Sequence, residues 1–158
     1  MAEDPALSVT ARLFPVRPLV SASVAIFRDG LVLLARRRGG SGAGLFSLPG
    51  GLIELGEGTE AAALREAVEE TGVQAEILGL AGHVDVVEAS DSRICQHYVV
   101  LAFAARWLWG VPRPSLEASE CLWANMDALG PLPLTKGLPD ILRKAQMIVQ
   151  KYDGDMRP

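Results

Sequence analysis

Acidic side chains are concentrated in residues 51–73, where the sequence reads GLIELGEGTEAAALREAVEETGV. Glu69 and Glu70 follow Glu66 by three and four residues, and residues at this spacing lie on one face of an α-helix. Like charges placed this close destabilise a helix by about 0.2–0.5 kcal/mol per pair unless a positive group compensates. A hard divalent cation compensates, because Mg²⁺ takes carboxylate oxygens together with substrate phosphates. The pattern therefore predicts a metal site for phosphate chemistry, with Mg²⁺ as the first choice of cofactor and Mn²⁺ as the second.

A helix over residues 57–71 is predicted to bring these acids together. The segment has an Ala-, Leu- and Glu-rich body, Thr59 as a candidate N-cap, and Gly72 as a stop just after its end. Glu57 can be turned toward the same place because Gly56 precedes it. The side of the helix roughly opposite the acids is expected to face the core, and it carries Ala61, Leu64 and Val68.

An ordinary amphipathic helix with its acids in water is the competing interpretation, and an isolated E-x-x-E-E pattern would favour it. The surrounding residues reverse that preference. Written as spacing, residues 51–73 follow G-x5-E-x7-R-E-U-x-E-E-x-G-U, where U is apolar. Seven fixed positions at roughly 5–7% background each would match by chance in fewer than about one chain in a million. The fixed positions are Gly51, Glu57, Arg65, Glu66, Glu69, Glu70 and Gly72, and the apolar ones are Ala67 and Val73.

This spacing is the signature of the Nudix hydrolases, and the chain resembles that family. The resemblance covers roughly residues 20–151 and is specific only across residues 48–73. Phe46 is a departure, since relatives often carry a tryptophan there, and only packing is expected to change. The resemblance implies the Nudix fold, an α/β arrangement in which a mixed β-sheet is sandwiched between helices. We therefore expect an N-terminal arm or edge strand over residues 1–19, a single domain over residues 20–151 and a C-terminal tail over residues 152–158.

The resemblance also implies roles for the acidic residues. Glu66 and Glu70 are the principal metal ligands, and Glu69 and Glu57 complete the metal's coordination directly or through water. Glu66 or Glu69 is also the expected acceptor of a proton from the attacking water. Some relatives use a glutamate outside the conserved pattern, which here is residues 51–73 (the Nudix box), as the base or as a further metal ligand. Glu117 is the best candidate for this glutamate and Glu120 the second, and an ordinary surface acid is the alternative for either.

Three further sets of residues are candidates for bracing the site or binding substrate. The resemblance implies that Arg65 braces the catalytic loop by bonding a carboxylate or backbone carbonyls, which its fork of donors suits. A surface ion pair of little energetic value is the alternative. Gly50 and Gly51 follow a proline in a turn that lets the backbone approach a ligand closely. The arginines at 36–38 end a predicted strand, where successive side chains alternate faces. Arg37 is the one expected to face a substrate phosphate, and a solvated strand end is an equal alternative.

The implied reaction is hydrolysis of the pyrophosphate bond in a nucleoside diphosphate linked to another group. A metal can neutralise the diphosphate and activate the attacking water. Some subfamilies carry a proline or tyrosine marker downstream, and residues 87–91 contain neither. An ADP-ribose-like substrate and a nucleoside triphosphate therefore both stay open. The alternative function is a non-catalytic module that senses a nucleotide, which a degenerate box would favour; here the box is intact.

Composition limits the other possibilities. The 158 residues are 49% hydrophobic, 22% charged and carry a net charge of −4, so no basic stripe is available for polymeric nucleic acid and a small nucleotide is the expected partner. Two cysteines make no disulfide framework, and the apolar run at 98–105 is too short to cross a bilayer. With no apolar segment after the acidic residues 1–4, we expect a cytoplasmic protein without membrane contact. A homodimer that pairs residues 13–20 is considered, because relatives often form dimers.

The remaining elements favour a layered arrangement. Two strands are predicted around Asp29-Gly30, a dipeptide typical of a type I′ hairpin turn. Strand and helix do not alternate regularly after them, which disfavours a Rossmann sheet and favours mixed strands with two helices. Further strands are predicted over residues 73–80, 82–88, 97–107 and 120–123, and a second helix over residues 138–151.

Overall fold

A mixed sheet of seven strands forms the centre of the computed structural model, which describes residues 12–156. In chain order its elements are β1 (Leu19–Arg28), β2 (Leu31–Arg37), β3 (Phe46–Ser47), β4 (Gly50–Leu52), α1 (Thr59–Thr71), β5 (Gln74–Ser90), β6 (Arg93–Trp109), β7 (Ala118–Asn125), a 3-10 helix (Met126–Ala128) and α2 (Leu138–Asp155). The strands follow the order β3-β2-β1-β6-β5, with β4 paired to β1 and β7 paired to β2. β1 and β6 run parallel, and the other pairs are antiparallel.

Each face of the sheet carries its own apolar core beneath one helix. The core under α1 is rich in alanine and also contains Val24, Ile26 and Phe103. The core under α2 contains larger side chains of the helix itself, including Ile141 and Leu142. The predicted sandwich of a mixed sheet between helices is therefore confirmed.

The hairpin between β1 and β2 is also confirmed. Arg28 lies opposite Leu31 in the antiparallel register. Asp29 and Gly30 have φ values of 50° and 79°, both positive as a type I′ turn requires.

Helix α1 begins one residue after its N-cap, which is Gly58 rather than Thr59. Gly72 ends the helix in the left-handed conformation with φ 76°, and its N–H donates to the carbonyl of Val68. This conformation is one that glycine adopts without steric penalty, so the predicted stop is confirmed.

The buried face of α1 differs from the one predicted. Ala62, Ala63 and Ala67 are fully buried, whereas Val68 is 41% exposed. Ala61 is also exposed, so the predicted core stripe was wrong at these two positions. Leu64 is half-buried and packs against the core under α1, so the prediction was right there. The alanines let the helix lie close to the sheet, and this rotation places the acids at the edge of the buried face instead of opposite it.

Strands β5 and β6 form a long hairpin, and the sequence-based prediction wrongly split the first of these strands in two. Two strands were predicted at 73–80 and 82–88, but β5 continues through Gly82 with an irregularity in register between Leu80 and Gly82. A Cβ at Gly82 would lie 3.3 Å from Cδ1 of Ile141. Glycine at this bulge therefore keeps β5 continuous while α2 packs closely across it.

The ends of the domain extend past the expected limits. α2 continues to Asp155, so the segment expected as a tail from residue 152 begins inside this helix. In the expected N-terminal arm, residues 1–11 lie outside the described residues, and the N–H of Phe14 donates to the carbonyl of Cys95. Across residues 12–156, Cys95 and Cys121 are free thiols and no helix has the length and apolarity to span a membrane.

Candidate active site

Three carboxylates from two parts of the chain converge beside α1. Glu66 and Glu70 lie one turn apart on the helix, and Glu117 comes from the loop at residues 110–117 that leads into β7. One oxygen of each carboxylate lies within 4.8 Å of an oxygen of the other two. The Glu66 side chain is only 12% exposed, whereas Glu117 is exposed, so the cluster opens to solvent on the side of the loop.

The two glycines that begin β4 make room for this cluster. A Cβ on Gly51 would lie 2.3 Å from Oε1 of Glu66, closer than atoms can approach. A Cβ on Gly50 would lie 2.6 Å from the carbonyl oxygen of Ala22 in β1. The N–H of Gly50 also donates to the carboxylate of Glu70. Gly51 therefore admits a site carboxylate, while Gly50 allows β4 to pair with β1 and supplies a donor to the site.

The environment of the cluster disfavours negative charge. Burial raises the pKa of Glu70 to about 8, and the nearby charges of Glu117 and Glu66 add to this effect. The bond from Gly50 and the charge of Arg37 oppose the rise. Burial likewise raises the pKa of Glu66. Three oxygen donors that repel one another fit a hard divalent cation, which would remove that repulsion.

Arg65 organises the base of the site through five bonds. Its Nε and Nη2 donate to the two oxygens of Glu57 at 2.7 and 3.0 Å, a bidentate pair. Nη2 also donates to the carbonyl of Leu52 at 3.2 Å, and Nη1 donates to Glu66 at 3.0 Å and to Glu69 at 3.4 Å. This pairing raises the pKa of Arg65 and, together with the N–H of Glu54, lowers the pKa of Glu57 to about 2.

Two of the predicted ligands lie beside Arg65, outside the convergent group of described residues. Both oxygens of Glu57 bond to Arg65, and Oε2 also accepts the N–H of Glu54. The Glu69 side chain is 59% exposed and contacts Arg65 at its edge. The structure therefore brings together Glu66, Glu70 and Glu117, and places Glu57 and Glu69 around the arginine.

The first two of the three successive arginines brace the glycine-rich loop between β2 and β3. Nε of Arg36 donates to the carbonyl of Gly44 at 2.9 Å, and Nε of Arg37 donates to the carbonyl of Ser41 at 3.0 Å. Arg37 is the member of the triplet whose charge acts on Glu70. That Arg37 faces a substrate phosphate stays a prediction.

The loop that carries Glu117 is attached to two neighbouring elements. The N–H of Arg113 donates to the carbonyl of Thr71 at the end of α1. Beyond β2, the N–H of Arg38 donates to the carbonyl of Glu117, and Nη2 of Arg38 donates to the carbonyl of Ser115. The sequence reasoning missed Arg38 and Ser115 in this place. A serine two residues before Glu117 is a local turn signal, but a bond across 77 positions has none.

Trp107 and Trp123 both have structural partners within the protein. Nε1 of Trp107 donates to the carbonyl of Gly110 at 3.0 Å, and the guanidinium of Arg28 lies 4.1 Å from the Trp107 ring centre. Trp123 packs against the core under α1. His97 is half-buried on β6 opposite Val87, outside the carboxylate cluster.

Comparison with known proteins identifies the family. The NUDIX domain model matches residues 17–145, a range that contains α1, the glycines of β4 and the loop carrying Glu117. The chain belongs to the Nudix family. An ADP-ribose pyrophosphatase from Methanocaldococcus jannaschii is 30% identical over 114 residues, which cover 72% of this chain and 66% of that protein. A MutT-like protein from Streptomyces ambofaciens is 38% identical over 113 residues, covering 72% and 67%.

Solved Nudix structures share the fold. A MutT Nudix hydrolase from Burkholderia pseudomallei superposes with a TM-score of 0.72 at 33% identity, covering 81% of this chain and 98% of the other. The Nudix domain of Shewanella oneidensis NrtR, solved with ADP ribose, has a TM-score of 0.69 at 21% identity, covering 84% and 89%. This chain spans 34% of the length of a Mycobacterium tuberculosis relative that is 40% identical over 86 residues. These comparisons confirm the predicted family and fold.

Proposed function

We propose that the protein is a divalent-metal-dependent pyrophosphohydrolase that cleaves a nucleoside diphosphate linked to another group. The observation that carries this proposal is the convergence of Glu66, Glu70 and Glu117 within 4.8 Å at a place where burial and mutual repulsion oppose their charge. A protein gains nothing in stability from such a cluster alone, whereas a hard cation makes it favourable. The intact family box and relatives described as ADP-ribose pyrophosphatase or MutT-like support the same reaction.

The acidic residues have distinct roles in this proposal. Glu66, Glu70 and Glu117 would hold Mg²⁺ or Mn²⁺ through carboxylate oxygens. When bound, the ion would reduce the negative charge of the diphosphate and promote ionisation of the attacking water. Glu69, exposed at the edge of Arg65, or Glu66 would accept the water's proton. Glu57 would complete the shell through water while it orients Arg65.

The substrate's phosphates would lie between the cluster and the glycine-rich loop. Arg37 supplies the positive charge that acts on Glu70, and its Nε is already fixed by Ser41. A guanidinium held in this way can meet phosphate oxygens with little further ordering. The missing Cβ of Gly51 leaves room for the carboxylate of Glu66 beside the same place.

A hydrolysis screen tests the reaction and the substrate class together. ADP-ribose, NADH, diadenosine polyphosphates, nucleotide sugars and nucleoside triphosphates would be ranked by kcat/KM with Mg²⁺, with Mn²⁺ and with chelator. We expect turnover of at least one substrate with a divalent ion present. Glu70→Gln should lower kcat by about a thousandfold, because several kcal/mol of transition-state stabilisation would be lost.

Glu60→Gln provides a matched control, since this exposed acid lies in the first turn of the same helix without joining the cluster. It should retain wild-type kcat. Tight nucleotide binding with no turnover across the screen would reject the hydrolase and favour the alternative of a non-catalytic sensing module. Turnover that survives in Glu70→Gln would reject the metal site.

A homodimer and a cytoplasmic location are also proposed for this protein. Leu13, Phe14, Val16 and Val20 lie in the segment considered for a homodimer, and all four are exposed. Light scattering of the purified protein would measure the oligomeric state, and cell fractionation would test the cytoplasmic location.

A further inference from the structure

The carboxylate of Glu117 differs from its two neighbours in how it is supported. Glu66 is paired with Arg65, and Glu70 accepts the N–H of Gly50. Glu117 is exposed, and its position depends on the loop that carries it. Because Glu66 and Glu70 repel it, the loop must be held against that repulsion whenever no cation is present.

Bonds at both ends hold this loop. At its start, the N–H of Arg113 donates to the carbonyl of Thr71 at 3.0 Å, which attaches the loop to the last residue of α1. At its end, the N–H of Arg38 donates to the carbonyl of Glu117 at 2.9 Å. The loop is therefore fixed relative to the helix that carries the other two carboxylates and relative to the strand end beside Arg37.

The last turn of the loop is closed by Ser115. Its Oγ accepts the N–H of Glu117 at 3.3 Å and the N–H of Ala118 at 3.1 Å, and its own N–H donates to the carbonyl of Ala118 at 2.8 Å. Nη2 of Arg38 donates to the carbonyl of Ser115 at 3.3 Å. One arginine thus contacts both sides of the turn that presents Glu117, through its backbone and through its guanidinium.

We propose that Arg38 is a positioning residue for Glu117. Its guanidinium fixes the turn at Ser115, so that the Glu117 carboxylate stays within reach of Glu66 and Glu70 and the three can share one cation. This inference rests on the proposed function, because it assigns Arg38 a role in building the metal site. It differs from a direct contact with substrate phosphate, the other role open to an arginine next to Arg37.

A double-mutant cycle between Arg38 and Glu117 separates these roles. Mn²⁺ affinity would be measured by electron paramagnetic resonance, and kcat and KM by hydrolysis of the best substrate, for Arg38→Ala, Glu117→Gln and the double variant. We expect Arg38→Ala to weaken Mn²⁺ binding roughly 3- to 10-fold and to lower kcat with little change in KM. In the Glu117→Gln background, the same substitution should have no further effect. Arg38→Lys, which keeps one charged donor, should recover part of the affinity.

Arg143→Ala is the control, because Arg143 is an exposed arginine on α2 paired with Asp140, and it should leave Mn²⁺ affinity unchanged. A full effect of Arg38→Ala in the Glu117→Gln background, or a rise in KM alone, would overturn positioning in favour of direct phosphate contact. Unchanged Mn²⁺ affinity in Arg38→Ala or in Glu117→Gln would also overturn it.

Failure of the proposed function is seen separately, as unchanged Mn²⁺ binding in Glu70→Gln or no turnover by the wild type. Thermal melts identify any variant that fails to fold. Ser115→Ala provides a second test, because it removes the Oγ acceptor of the turn but leaves Arg38 intact. Weaker Mn²⁺ binding is expected for this variant.

Discussion

Arg65 holds several of the acidic residues around it in place and gives them different environments. Its bidentate bond to Glu57 keeps that carboxylate ionised, with a pKa of about 2, while Nη1 reaches Glu66 inside the cluster. The same guanidinium holds the carbonyl of Leu52 at the end of β4. A single planar group therefore connects the strand, the loop before α1 and a proposed metal ligand, and an ammonium group could not make all of these bonds.

Replacement of Arg65 by lysine should therefore reduce activity more than stability. Arg65→Lys keeps the charge but loses the fork, so Glu66 loses its fixed orientation, and kcat/KM should fall about 10- to 100-fold. Steady-state kinetics would measure the change. Arg106→Lys alters a half-buried pair with Glu76 on the β5–β6 hairpin, away from the carboxylate cluster, and should have no such effect. An Arg65→Lys enzyme with wild-type kcat/KM would show that the bracing role is wrong.

Short elements position the long ones around this site. β4 has only three residues, yet it pairs with β1 on one side and receives Glu66 and Glu70 from α1 on the other. Its two glycines have separate tasks, since the missing Cβ of Gly50 faces backbone and that of Gly51 faces a carboxylate.

Alanine at these two positions should separate folding from activity. In Gly50→Ala the new Cβ meets the carbonyl of Ala22 at 2.6 Å, and backbone cannot move aside cheaply, so unfolding should become easier by about 2 kcal/mol or more. In Gly51→Ala the Cβ displaces the Glu66 side chain, so activity should fall at least tenfold with a smaller change in Tm. Denaturant titration and kinetics would measure the two effects. Gly39→Ala, with open space around its Cβ, is the control, and equal losses of stability in the two β4 variants would contradict this division.

The sequence predicted helix α1 well because its stop and its acids are local signals. Gly72 and the i, i+3, i+4 spacing depend only on nearby residues. The burial of α1 could not be read in this way, since Val68 is more apolar than Ala67 but only alanine fits the close approach to the sheet. The attachment of Arg38 to Ser115 was equally beyond local reasoning, because it depends on β2 and β7 pairing across the sheet.

At the scale of the whole molecule, the mutual repulsion of the clustered carboxylates makes the stability of the protein depend on pH. The pKa of Glu70 is raised to about 8 in the folded protein, above its ordinary value of 4.5, so the folded state binds more protons than the unfolded state between these values. The free energy of unfolding of the metal-free protein should therefore fall as pH rises through this window. Glu66 acts in the same direction. Glu57 acts in the opposite sense at lower pH, since the stability it contributes is lost as pH falls from about 4.5 toward 2.

Thermal melts across pH with and without Mg²⁺ would test this account. Without metal, Glu70→Gln should be more stable than the wild type at pH 8 by at least about 1 kcal/mol, or roughly 3 °C in Tm, and the difference should shrink toward pH 5. Mg²⁺ should raise the Tm of the wild type more at pH 8 than at pH 5, because protons compete for the same oxygens. A wild-type advantage at pH 8 without metal would contradict the repulsion.

The alanines beneath α1 have a consequence for how this protein can diverge. Each contributes a single methyl group to the spacing between helix and sheet, and each is fully buried. A larger residue there would raise the whole helix, and Glu66 and Glu70 would move with it away from the sheet. Selection for turnover should therefore keep these residues small, even where a larger residue would leave the protein stable enough. The larger aliphatic residues of the core under α2 can be exchanged for one another more freely.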